Sequence, residues 1–80
     1  MTISGATAEA IAASRAVQLP PPNERRAIRR GVRLTQAQVG AIVGVTGQMV
    51  GLWEMGRNGP TGDRRTRYAE LIAACVEATR

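Results

Sequence analysis

Two threonines eleven residues apart, Thr35 and Thr46, with a glycine two places ahead of the second, leave this chain little freedom between them. A threonine hydroxyl accepts a hydrogen bond from a free first-turn amide, so each one reads as a helix N-cap. Gly44 stands where the first helix must stop, because glycine enters the left-handed conformation without steric cost. The spacing therefore predicts one helix from Gln36, ended by Gly44, and a second after Thr46, meeting across about three residues. Val39 and Val43 form the inward stripe of the first. In the second, Val50, Trp53 and Glu54 lie on one side and Gln48, Leu52 and Met55 on the other. The turn residues GRNGP, Gly56 to Pro60, close it.

The flanks extend the helical pattern. NERRAIRRG sets Ile28 and Val32 four apart with Arg25, Arg26, Arg29 and Arg30 around them, which predicts a short basic helix ending near Gly31. The tail, GDRRTRYAELIAACVEATR, starts well at Asp63 and carries Tyr68, Leu71, Ile72, Cys75 and Val76 at the spacing of one buried face. Upstream, TAEAIAASRAVQ (Thr7 to Gln18) has strong helix formers, and LPPP must break it, since proline lacks an amide hydrogen and constrains its predecessor. With 80 residues, no Phe, one Trp and one Tyr, the interior falls to aliphatic side chains in packed helices, so the expected class is all-α. Residues 1–19 are expected to form an arm and residues 20–80 the domain.

The net charge is +5 and every basic residue is arginine. Such a chain favours anionic partners, nucleic acid first and membrane surfaces second. Cys75 is alone, so no internal disulfide forms and a reducing cytoplasm fits; inside the last apolar stripe it reads as a small buried hydrophobe. The Ala-rich stretch near the start carries Glu9 and Arg15 and no basic leader, which reads as neither signal peptide nor membrane span. Histidine is absent, and no carboxylate pair, metal-ligand spacing or phosphate-binding glycine loop appears. No enzyme, cofactor, metal or small-molecule ligand is therefore expected.

Two helices joined by a tight glycine turn, the second polar at its outward beginning, make the geometry that enters the DNA major groove. Here the pattern becomes specific. The run Leu34 to Pro60, with Thr35, Gln36, Gly40, Gly44, Val45, Thr46, Val50, Trp53, Glu54 and Gly56 in register, resembles the helix-turn-helix of the Cro and phage-repressor type, the XRE family. With its flanking helices the resemblance covers roughly Asn23 to Val76. It implies a compact four- to five-helix lambda-repressor-like domain, the motif spanning residues 35–56, preceded by the helical arm.

The resemblance further implies a nucleoid-associated, sequence-specific binder of double-stranded DNA. Such a protein would be a transcriptional regulator, with repression by promoter or operator occupancy the simplest mode, and its brevity suits a phage or mobile element. Carried over residue by residue, the base-reading positions are Gly47, Gln48, Met49 and Leu52. The Gln48 amide, the strongest candidate, suits an adenine edge, its alternative being a solvated surface side chain; Leu52 suits a thymine methyl, although Leu52 and Met49 could equally extend the core or a protein interface. Gln36 and Thr46, at helix N-termini, fall at phosphate-facing positions, where the helix field favours an anion; the family's residue at Gln36 also props the base-reading glutamine. Because residues 35–56 contain one Glu and no Arg or Lys, the phosphate clamp must come from the flanks: Arg33 and Arg57 first, then Arg30, Arg64 and Arg65, with Arg25, Arg26 and Arg67 nearby. Arg29 and Glu54 are implied to form a structural ion pair. Gly40 stands where the helices cross; Gly47 and Gly51 either let the backbone approach the groove or are flaws in the helix. A homodimer on a palindromic site would suit the family, through the last helix or the arm.

Two features depart from the pattern. Ile42 stands where the family often has a polar residue, and the arm with Ile11 and Val17 is extra, so the arm is expected to cover apolar surface near Ile42. Deleting residues 1–18 tests this, because unchanged stability and oligomeric state would exclude it. The rival reading is a protein-binding module of the same fold, an antitoxin or small adaptor, with Met49, Leu52 and Met55 as its apolar contact face.

Overall fold

The computed structural model of the chain describes residues 18–80. They form four α-helices and no strand: α1 (Pro22–Gly31), α2 (Gln36–Val43), α3 (Gly47–Glu54) and α4 (Gly62–Ala78). The arm helix expected before LPPP, and the covering of Ile42 by the arm, concern residues almost wholly outside those described. Ile42 itself is 53% exposed.

Each boundary follows from local chemistry. α1 begins at the third proline of LPPP, where the missing amide hydrogen would have had no helical partner, and no side chain caps it. Its end differs in detail from the expectation at Gly31. That glycine is the last helical residue, but the left-handed turn is made by Arg33, at φ 61°, and the amides of Arg33 and Leu34 close back onto Arg30 and Arg29. The amide of Gln38 donates to Thr35 Oγ1 while the Gln38 side chain accepts from the Thr35 amide, a reciprocal cap that starts α2. Gly44 ends it at φ 93°, and the amides of Gly44 and Val45 both donate to the Gly40 carbonyl. Thr46 caps α3 by accepting from the Met49 amide. Gly56, at φ 72°, ends α3, with the amides of Gly56 and Arg57 returning to Trp53 and Leu52. α4 starts one residue before Asp63, which adds negative charge to its first turn.

Val39, Val43, Val50, Trp53, Tyr68 and Ile72 form the core, and Leu19, Ile28, Leu34, Val45, Met49 and Leu71 pack around it. Trp53 and Tyr68 meet with ring centroids 4.9 Å apart, joining α3 to α4. Cys75 is buried, and the loss of solvation pushes its thiol pKa above the usual value, which suits a small core side chain.

Arg25 corrects the expected grouping of the α1 arginines. It is 8% exposed, its guanidinium lies 5.5 Å from the centre of the Tyr68 ring, and its Nε and Nη1 are buried without a hydrogen-bond partner. A cation seated on an aromatic face inside the domain is a structural element. It is not a surface clamp.

Candidate nucleic-acid interface

The site is built on the crossing of α2 and α3, which three glycines make unusually close. A Cβ on Gly40 would stand 2.6 Å from the Val45 carbonyl oxygen, and one on Gly47 would stand 2.9 Å from the backbone of Ala37. A Cβ on Gly51 would meet the Gln36 side-chain amide at 3.3 Å. Gly40 was expected at such a crossing. Gly47 and Gly51 are neither free surface nor flaws; they face α2, and their missing side chains let its first turn lie against α3.

The four positions that the resemblance implies for base reading, Gly47, Gln48, Met49 and Leu52, lie in different surroundings on α3. Gly47 is turned toward Ala37. Met49, on the opposite flank of α3, packs on the core and borders a shallow depression with Asn58, Pro60 and Arg64. Gln48 is exposed and Leu52 half-buried, with Met55 at 64% exposure continuing their strip. At about 100° per residue, positions 48, 52 and 55 fall on one outward line and position 49 falls beside it. Met49 and Leu52 line different depressions.

Beside that strip runs an open cleft of about 330 Å³, lined by Gln36, Gln48, Leu52 and Met55, with Arg26 and Glu54 also contributing. Glu54 anchors its inner wall. Arg29 donates to it twice, from Nε to Oε2 at 2.5 Å and from Nη2 to Oε1 at 2.9 Å, and a third donor of the same guanidinium reaches the Leu34 carbonyl at 2.8 Å. The implied ion pair is therefore present, buried and bidentate. Burial alone would push the Glu54 carboxyl up. Hydrogen bonds from Arg29 and Gln36, with the charges of Arg29 and Arg26, outweigh it and hold Glu54 below the usual carboxylate range. The hydrogen bond to Glu54 in turn raises Arg29 above the usual arginine value.

Gln36 turns its side-chain amide onto α3. Its Nε2 donates to Glu54 Oε1 at 3.2 Å, so its amide lies along α3 over Gly51 and ties the start of α2 to the ion pair. Thr46 spends its hydroxyl on the cap of α3.

Arg30, Arg33, Arg57, Arg64 and Arg67 are exposed, and Arg65 is half-buried. Arg26 was grouped with the flanks but not singled out, and it is the arginine that lines the cleft with Gln48. Its position four residues before Arg30 puts these two exposed arginines on one face of α1. Together, Asn23, Arg26 and Arg30 line a second basic depression continuous with that rim. Among the described residues, no helix is long and apolar enough to cross a membrane, and no cluster of His, Cys, Asp and Glu could hold a metal ion. Comparison with protein-family models, with curated proteins and with solved structures gives no match.

Proposed function

We propose that this protein binds double-stranded DNA in a sequence-specific manner through α3 and acts as a transcriptional regulator, a repressor in its simplest form, with a lambda-repressor-like fold of the Cro and phage-repressor type. The observation that carries the reading is the three-residue turn, Gly44 to Thr46, between two capped eight-residue helices, the second of which turns Gln48 and Leu52 outward. A glutamine amide there can donate to and accept from an adenine edge. The exposed arginines supply the complementary half of the task. They stand on the elements before and after an uncharged reading strip, so phosphate neutralisation and base reading fall to different residues.

Selection of sites from a random duplex library with the full-length protein, at near-physiological salt, tests this. An enriched inverted repeat would identify a dimeric reader, and a single short site a monomeric one. Without enrichment above a salt-sensitive background, the protein-binding reading would take its place, with Met49, Leu52 and Met55 as its surface.

A further inference from the structure

The loop between α3 and α4 carries a dipeptide, Asn58 and Gly59, that is exposed, lies outside regular structure and shares a depression with Arg64. Among the described residues, neither the Asn58 side-chain amide nor the Gly59 backbone nitrogen has a hydrogen-bond partner. The last backbone amide to donate before them is that of Arg57, and the next after them is that of Arg65. Apart from its chain neighbours, nothing stands within 4 Å of the place a Cβ would take on Gly59. Asn23 is the only other asparagine, and its setting is the opposite. It is the second residue of α1, and the amide that follows it, that of Glu24, donates to the Pro21 carbonyl at 3.0 Å.

We infer that Asn58 is a site of spontaneous deamidation through the Gly59 nitrogen, and that the reaction sets a carboxylate among the arginines that follow α3. The Gly59 nitrogen gives its proton to solvent base and attacks Asn58 Cγ. The bond from Cγ to the side-chain nitrogen breaks, and ammonia leaves. Water then opens the cyclic imide at either carbonyl, giving an aspartyl or an isoaspartyl residue at position 58. A following residue without a Cβ leaves the nitrogen open to this approach, whereas the hydrogen-bonded helical amide after Asn23 is held away from it. The product carries one more negative charge, so the net charge of +5 falls by one. Arg57 is its neighbour in the chain and Arg64 lines the same depression, and a fixed anion there competes with a DNA phosphate for both. That consequence rests on the reading of α3 as the DNA-contacting helix. The covalent step does not.

The test holds the full-length protein at physiological temperature in mildly alkaline buffer, with samples taken over days and mapped as peptides by mass spectrometry. The Asn58 peptide should gain the mass of an amide-to-acid exchange, with an isoaspartyl fraction, while the Asn23 peptide stays unchanged. Mildly acidic buffer should slow the conversion, because the attacking nitrogen must lose its proton. Asn58→Gln and Gly59→Ala should both suppress it, and the open space around Gly59 accommodates the added methyl of the second variant. An Asn58 peptide that stays intact, or that converts no faster than Asn23, would overturn the site. Against a selected duplex, the converted protein and Asn58→Asp should each bind about fivefold more weakly at near-physiological salt, the worth of one phosphate contact, with the salt slope lowered by about 0.9. Conversion with unchanged affinity and slope would overturn the electrostatic consequence alone. If no duplex is selected, the DNA-binding reading fails with that consequence, and the mass change still decides the site.

Discussion

Replacing Glu54 by glutamine keeps the size of the side chain but removes the charge that Arg29 faces and turns one of its two acceptor atoms into a donor. The buried guanidinium would then lack its counter-ion, and Glu54→Gln should lose about 3 to 5 kcal/mol of stability in urea unfolding. Arg29→Met should behave alike, and the double variant should lose less than the sum of the two. The carboxyl's depressed pKa also fixes the sign of its pH dependence. Its contribution is fully present above the unfolded-state value of about 4.3 and is lost as the pH falls through the lower folded value. An acid titration of stability should therefore be steeper in the wild type than in Glu54→Gln. The pair itself was legible through the resemblance, whereas the role of Arg25 was not. Four arginines crowded into one short helix look alike in a sequence, and only the seat of the Tyr68 ring against α1 distinguishes Arg25.

At the scale of the elements, the crossing glycine and the left-handed arginine should respond oppositely to substitution. Gly40→Ala puts a carbon against a backbone carbonyl that cannot rotate away, and it should cost about 1 to 3 kcal/mol despite alanine's better helix propensity. Arg33→Gly should do the reverse: it relieves a left-handed arginine and should gain about 0.5 to 1 kcal/mol in thermal unfolding. If Arg33 also holds a phosphate, the same variant should bind DNA more weakly, so stability and affinity would move in opposite directions. The caps at Thr35 and Thr46 and the stop at Gly44 were readable because each acts within a few residues of itself. The facing of Gly47 and Gly51 toward α2 was not, since it depends on how two helices cross. Periodicity separates inward from outward positions, and it does not say which flank meets a neighbour.

For the whole molecule, the proposed division between reading strip and basic flanks predicts a particular salt response. Arg57→Ala and Arg26→Ala should weaken binding to all duplexes alike and each lower the slope of log affinity against log salt by about 0.9 per phosphate contact removed. Gln48→Ala should leave the slope unchanged and relax the sequence preference. Fluorescence anisotropy at several salt concentrations would read both quantities. The all-helical class and the order of the described helices were legible from composition and punctuation, whereas the cleft was not, because its walls come from helices distant in sequence. Arg29 has one more effect at this scale. Its guanidinium joins α1 to α3 and to the carbonyl that leads into α2, so α1 cannot swing away without exposing a carboxylate and a backbone acceptor together. Amide hydrogens in α1 and α3 should consequently exchange with solvent through one shared opening, with matched protection and matched denaturant dependence, and in Arg29→Met that opening should divide into two.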